Sequence, residues 1–490
     1  MATYNVSTKG RMRTENRSGH AAYMMDDRTK LVTMALTTML GEPKYYGDTT
    51  DELIALAETL CRNGDVGFVV RLAVWARTMG NLRSVSHALM AVAARVGSGK
   101  NADCTKPSPV RAGARIIASQ RGDDGTEMLA AYFALYGRGN PNALRRGIRD
   151  ALEASKPFSL AKYQSRNKAV KLRDTLRITH PNAFRDDTTE AMGKVVDGTL
   201  PVPKSWETEL SERGNTAEVW DELLAERRVG IMAAIRNMRN IIQSGADIQP
   251  VLSMLYDAET IRRSRQLPFR FYSAYRELRS AGLATTSIAR ALDAAMVHAC
   301  GNVERLPGRT AVLIDRSGSM GNRVSAKSSV VCSEIAAVLG AMSSYISDDA
   351  WVAEFNGSAR VVPMAGMGII SDASLVSFPS GGTDMACAFD LLRESGYDAN
   401  RVVVLSDNEV NGGYWHDNKK VIQSELDRYR TKVGHDVWCH AIDLQGYGTQ
   451  QFIGPKVNII AGWSEQALRF VGMAERGFGS IVDEIASIDL

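Results

Sequence analysis

The chain has 490 residues, 44% hydrophobic and 23% charged, with a formal net charge of +4. That length exceeds one ordinary core, so two or more domains are expected in a soluble globular protein. No run of about 18 apolar residues is present, which excludes a membrane-spanning helix. The stretch Met1 to Arg17 is polar and basic and lacks the apolar segment of a secretory signal.

From about Asp27 to Gly301 the pattern is helical. Asp51–Asn63, Val66–Met79 and Ser84–Arg95 carry apolar residues at three- and four-residue spacing, separated by short Gly, Asn or Asp punctuation. Thr50-Asp51-Glu52 offers an acidic helix start. Helix following helix without strands predicts an α-solenoid of HEAT-like geometry, although no repeat of fixed period is visible. The six cysteines form no Cys-x-x-Cys pair and the seven histidines show no zinc spacing, so buried thiols in a reducing cytoplasm are expected.

Charge is divided unevenly. Residues 310–490 hold 14 Lys+Arg and 22 Asp+Glu, a net of −8, which leaves +12 on the preceding residues. Two windows concentrate the positive charge. Between Pro141 and Arg185, Lys162, Arg166, Lys168, Lys171, Arg173 and Arg177 are among eleven basic residues opposed by Asp150, Glu153 and Asp174. Between Arg227 and Arg279 ten arginines, including Arg236, Arg239, Arg263 and Arg265, face four acidic residues. A guanidinium fork suits phosphate oxygens. Tyr163, Phe184, Phe269, Phe271 and Tyr272 interleave with these charges as candidates for stacking on unpaired bases. A polyanionic partner, DNA or RNA, is the expectation for this half.

Around Asn302–Arg309 strands begin to alternate with helices. Strands are predicted at Thr310–Asp315, Trp351–Phe355, Arg360–Pro363, Val402–Ser406, Asp436–Ile442 and Val457–Gly462. Helices are predicted at Ser325–Ser344, Met385–Arg393, Lys419–Tyr429 and Ser464–Met473. This alternation implies a mostly parallel, doubly wound sheet. Asp315 closes the apolar run Ala311-Val312-Leu313-Ile314, and Ser317 and Ser319 follow on a turn that Gly318 permits. Ser380-Gly381-Gly382-Thr383 adds a hydroxyl on a glycine-bent loop, and Val402–Ser406 leads to Asp407. Two carboxylates and three hydroxyls at strand ends suit a hard divalent cation, Mg²⁺ being the expected choice, with a coordination position left open.

The order Asp315-x-Ser317-x-Ser319, Thr383, Asp407 resembles the metal-ion-dependent adhesion site of von Willebrand factor A domains. The helical half resembles the TROVE domain of the Ro 60-kDa autoantigen family. The resemblance is carried by Ser18–Tyr23 with Asp27, Leu31, Gly41 and Tyr45-Tyr46, by Lys162–Asn167 with Arg177–Pro181, by Ala233–Asn240 and by Arg263–Arg270. The chain departs from that family between Arg166 and His180, where Asn-Lys-Ala-Val-Lys-Leu stands in place of a Gly-Trp-Ser-His segment. The resemblance implies a helical-repeat ring closed by the A domain, with Lys162, Arg166 and His180 at RNA-binding positions. It divides the chain into an N-terminal arm (1–26), a helical RNA-binding domain (27–305) and an A domain (306–490).

The expected function is therefore that of a non-catalytic, cytoplasmic RNA-binding ring protein. Its partners would be small Y-like noncoding RNAs and single-stranded ends of misfolded RNAs, with an exoribonuclease or another protein on the A domain and no membrane. Ser317 and Ser319 have no adjacent histidine base, and no Walker loop is present. Two alternatives stand beside it. One is a metal-dependent protein-adhesion or adaptor module on a helical scaffold, and the other is a metal-dependent nuclease using Asp315 and Asp407.

Overall fold

The computed structural model describes residues 13–16, 21–37, 49–97, 108–139, 141–164, 168–182, 185–324, 330–410, 422–462, 466–476 and 481–490. Its compact units do not follow chain order. Asp27–Pro203 closes with Ile481–Leu490, and Met1–Asp26 closes with Lys204–Ser480.

The unit built on Asp27–Pro203 is helical wherever it forms regular structure among the described residues. Thr49–Leu60, Val66–Thr78 and Arg83–Val96 occupy the three stretches with helical spacing. The Thr49–Leu60 helix stops at Leu60, because Cys61–Asp65 forms a π-helical turn in which Gly64 takes φ 97°, a conformation open to glycine. Pro109–Ala118 and Asn142–Glu153 cross closely at Gly147, where a Cβ would lie 2.3 Å from the Arg111 carbonyl oxygen. At the head of the Asp124–Tyr136 helix, buried Asp124 accepts hydrogen bonds from Arg77 Nε at 2.8 Å and Arg83 Nε at 3.0 Å. His87 Nε2 lies 3.3 Å from the same carboxylate. One acidic side chain thus joins three helices. The Ile481–Ala486 helix packs on Val66–Thr78, and beside it Arg71 Nε donates to the Ile488 carbonyl at 2.8 Å.

In the other unit, helices run from Trp206–Arg213 to Thr286–Cys300, and strands then take over as the sequence pattern implies. The strands of the structure are β1 (Arg13–Glu15), β2 (Ala21–Met24), β3 (Leu306–Asp315), β4 (Ser347–Phe355), β5 (Ala359–Val361), β6 (Arg401–Ser406), β7 (Trp438–Asp443), β8 (Thr449–Gln450) and β9 (Val457–Ala461). Six of them form one sheet in the order β5-β4-β3-β6-β7-β9. All neighbours in it are parallel except the edge pair β4–β5.

Alternation along β3 and β6 sends side chains to both faces of this sheet. Ala311, Leu313, Val402 and Val404 pack into one core with Phe389 and Leu392 of the Met385–Ser395 helix and Leu426 of the Gln423–Val433 helix. On the other side, Ile314 and Leu405 meet Gly340 of the Cys332–Ile346 helix, where the missing side chain admits the Ile314 methyl. Sheet covered by helices on both faces is the doubly wound arrangement expected. The helix expected from Ser325 begins at Cys332 among the described residues; 325–329 lie outside them. Buried Arg401 forks onto Glu475 at 2.6 and 2.7 Å and so ties the Gln466–Glu475 helix to the sheet.

β1, β2 and β8 form a second, small antiparallel sheet that the sequence pattern does not anticipate. Asn16 Nδ2 then donates to the Val410 carbonyl at 2.8 Å, three residues beyond Asp407.

Candidate functional site

The parallel pairing of β3 with β6, Ile314 opposite Leu405, brings the carboxyl ends of two strands side by side. Asp315 follows Ile314 directly, Asp407 stands two residues past Leu405, and both are buried. The turn after β3 is wound around its own carboxylate, since the Ser317 amide donates to Asp315 Oδ1 at 2.8 Å. Ser317 Oγ and Ser319 Oγ lie 3.2 Å apart within hydrogen-bond reach of each other. The glycine loop is stitched against this turn by two backbone hydrogen bonds, from the Gly318 amide to the Gly381 carbonyl (2.9 Å) and from the Ser380 amide to the Arg316 carbonyl (2.8 Å). Gly381 takes φ 75°, which lets the loop bend back, and Thr383 is buried behind it. Asp315, Ser317, Ser319, Thr383 and Asp407 therefore sit on three segments that the fold holds together.

Two contributors escape a reading of the sequence. Ser406 Oγ donates to Asp315 Oδ2 at 2.6 Å, and Asn356 Nδ2 donates to the Ser380 carbonyl at 2.9 Å. Ser406 is hidden as one more strand residue, and Asn356 lies just past a strand end that carries no motif.

Electrostatically the cluster is short of positive charge. Burial pushes the Asp315 carboxyl well above its ordinary range and the neighbouring Asp407 charge adds to this, against hydrogen bonds from Ser406 and Ser317. Burial also raises Asp407, opposed by a hydrogen bond from Ser319. Among the described residues neither carboxylate pairs with a lysine, arginine or histidine; Arg316 instead turns to buried Glu354 at 3.1 Å. No grouping of three or more His, Cys, Asp or Glu suited to a metal occurs among the described residues. The donor set is two carboxylates and hydroxyls, which fits a hard, oxygen-seeking cation better than a soft one.

The basic candidates fall in both compact units, and each surface stands by itself. In the Asp27–Pro203 unit, exposed Lys162 ends the Pro157–Lys162 helix with Nζ 5.9 Å from the Tyr163 ring centre. Half-buried Lys171 caps the Leu172–Thr179 helix, which presents exposed Arg173 and Arg177 one turn apart. His180 is exposed in the left-handed conformation (φ 49°) that ends this helix before Pro181. Arg166 and Phe184 lie outside the described residues. Lys168 of the same window is engaged internally, paired with Asp123 at 3.0 Å and with Glu127.

In the other unit, Arg236 and Arg239 are exposed on the Ile231–Ser244 helix, with Arg239 paired to Glu277 at 2.5 Å. Arg263 pairs with Glu259 at 2.7 Å, while exposed Arg265 ends its helix with φ 52°. Phe271 and Tyr272 are not available for stacking. They lie in the core with Ala274 and Leu278 of the Pro268–Ser280 helix, because they fall on its apolar face. Phe269 and Tyr163 remain half-buried.

Residues 198–316 match the family model described as TROVE domain. Over these residues the chain is similar to a TROVE domain. The matched segment contains Arg236, Arg239, Arg263 and Arg265 and runs to Arg316, one residue past the first carboxylate; the Lys162–His180 window precedes it. Telomerase protein component 1 of Rattus norvegicus is 40% identical over 82 residues, and that of Mus musculus 41% over 76 residues. These spans are 16% and 15% of this chain and 3% of each relative, so the match is local. The crystal structure of the Deinococcus radiodurans RO (RSR) protein superposes with a TM-score of 0.64 at 20% identity. It covers 92% of this chain and 100% of that one, a likeness of fold that extends to both the helical region and the sheet domain. No helix among the described residues is long and apolar enough to cross a membrane.

Proposed function

We propose that this chain is a cytoplasmic RNA-binding protein of the Ro type. It would bind small, structured, Y-like noncoding RNAs and single-stranded ends of misfolded RNAs, in RNA quality control or as a scaffold for RNA degradation. The carrying observation is the set of exposed basic side chains: Lys162 at the end of one helix, Arg173 and Arg177 one turn apart on the next, and His180 at that helix's end; of these Arg177 makes no ion pair among the described residues. Such groups neutralise phosphates and release counterions. A divalent cation held by Asp315, Ser317, Ser319, Thr383 and Asp407 would supply an electrostatic bridge to an acidic group of a protein partner.

The test is a gel shift with structured and single-stranded RNA at low and high salt. Binding should weaken as salt rises, and Lys162→Ala combined with Arg177→Ala should weaken it about tenfold or more and flatten the salt slope by about two. Asp315→Ala should leave it within about twofold. Absence of RNA binding at low salt would overturn the reading.

A specific feature favours the second reading, a metal-dependent protein-adhesion module. Phe378 is 93% exposed on the loop that carries Thr383, two residues before Ser380, whose amide bonds to the Arg316 carbonyl. Retention of a protein partner that Mg²⁺ promotes and chelation abolishes, with no RNA binding, would favour it.

A further inference from the structure

Within the Asp27–Pro203 unit, a cavity of about 520 Å³ opens between the end of the Pro109–Ala118 helix, the turn that follows it, and the junction of the Asn142–Glu153 and Pro157–Lys162 helices. It lies within the roughly 300–1,000 Å³ usual for small-ligand sites. We propose that it is a slot for one unstacked nucleotide of a bound RNA strand. The proposal rests on the RNA-binding function and adds to it a single-base site that adjoins the Lys162 surface at Tyr163.

Four observations support this assignment. The charged side chains lining the cavity are Arg121 and Lys156, with no carboxylate among its lining residues. Arg121 is partly satisfied by Asp123 at 2.9 Å, whereas exposed Lys156 makes no ion pair among the described residues and is left for a phosphate. One wall is aromatic and fixed: the Arg121 guanidinium lies 4.8 Å from the Tyr163 ring centre, and a Cβ at Gly122 would come within 2.7 Å of that ring. Phe158 also lines the cavity and is 61% exposed, although Leu160 and Ala161 of the same helix are buried. Core packing does not account for that ring, but an aromatic face at a cavity mouth is what a base stacks on.

The fourth observation is polar. Ser155 Oγ is buried, lines the cavity and has no hydrogen-bond partner among the described residues. An orphaned buried hydroxyl has something to gain from a ligand. A base edge offers both donors and acceptors, and the apolar wall of Ile148 and Leu152 suits its face. The arrangement therefore places the base over Phe158, its edge toward Ser155, and its phosphate toward Lys156.

The experiment uses the full chain and single-stranded RNA carrying one 4-thiouridine, with affinity measured by filter binding and crosslinked peptides identified by mass spectrometry. Phe158→Ala, and Ala154→Trp to fill the mouth from an exposed position, should each weaken binding about tenfold, as loss of one stacked base does. Lys156→Ala should lower the salt slope by about one. Crosslinks should fall within residues 118–126 or 154–163. RNA binding that all three variants retain within twofold, with crosslinks elsewhere, overturns the slot and leaves the function intact. No RNA binding by the unaltered chain overturns both. Tight uptake of free UMP or AMP, with RNA affinity unchanged in the variants, assigns the cavity to a free nucleotide and also overturns the slot. If Ala154→Trp melts early, Phe158→Ala and Lys156→Ala decide alone.

Discussion

Replacing Asp124 by alanine removes the acceptor that three helices share. The carboxylate is fully buried, and its partners differ in how easily they can escape: the Arg77 side chain is 11% exposed and His87 is 5% exposed, whereas Arg83 is 32% exposed and keeps Asp123 at 3.0 Å. Breaking a buried pair by removing one partner costs about 3–5 kcal/mol. Because Arg83 can turn to Asp123 and water, the lower end applies here, about 3 kcal/mol, or roughly a hundredfold in an opening equilibrium. Amide hydrogen exchange read by mass spectrometry resolves this locally. Peptides from Val66–Thr78, Arg83–Val96 and Asp124–Tyr136 should exchange roughly a hundredfold faster in Asp124→Ala, while the sheet domain is unchanged. Exchange within threefold of the unaltered chain would refute the shared-acceptor argument. The pH dependence has a definite sign. Burial pushes the Asp124 carboxyl upward, but contacts from His87 and Arg77 outweigh it and hold the group below its ordinary value. A depressed carboxyl contributes stability above the unfolded value of about 4 and loses it as pH falls through the folded value. The gap between the unaltered chain and Asp124→Asn should therefore close only on acidification below about pH 4.

Two further outcomes are expected. Asp407→Asn should abolish terbium luminescence and lower Mg²⁺ affinity at least tenfold by calorimetry, and an unaltered chain that takes up neither ion would remove the cation site. At Gly147 an added Cβ would lie 2.3 Å from the Arg111 carbonyl oxygen and 2.7 Å from Ala114 Cβ, so Gly147→Ala should cost about 1–3 kcal/mol through forced helix separation. Unchanged thermal unfolding of Gly147→Ala would contradict that packing.

The strand-end carboxylates are legible because Ala311–Ile314 and Val402–Leu405 are uninterrupted apolar runs, and such runs become buried parallel strands. The long helices are legible for the same kind of reason, through their spacing. β1, β2 and β8 are not, since strands of two to four residues carry too little alternation to register. Phe271 and Tyr272 mislead because the eye is drawn to aromatics among arginines, while helical phase sends them inward. Charge counting has a comparable blind spot. It tallies Lys168, Arg239 and Arg263 as free cations, whereas folding commits them to Asp123, Glu277 and Glu259. Ser406 and Asn356 join the candidate cation site through tertiary geometry that no local pattern encodes.

The exchange of chain ends between the two units has a consequence for biosynthesis. Tyr23 pairs with Gln450, and Arg71 bonds to a carbonyl 417 residues onward. At about 5–20 residues per second, an early strand would wait on the order of 20 to 90 seconds for its partner to be made. Until residues 449–490 have been made, one unit lacks its Ile481–Ala486 helix and the other presents an open strand edge. Cutting the chain after residue 203 or 305 would separate each unit from the piece that completes it.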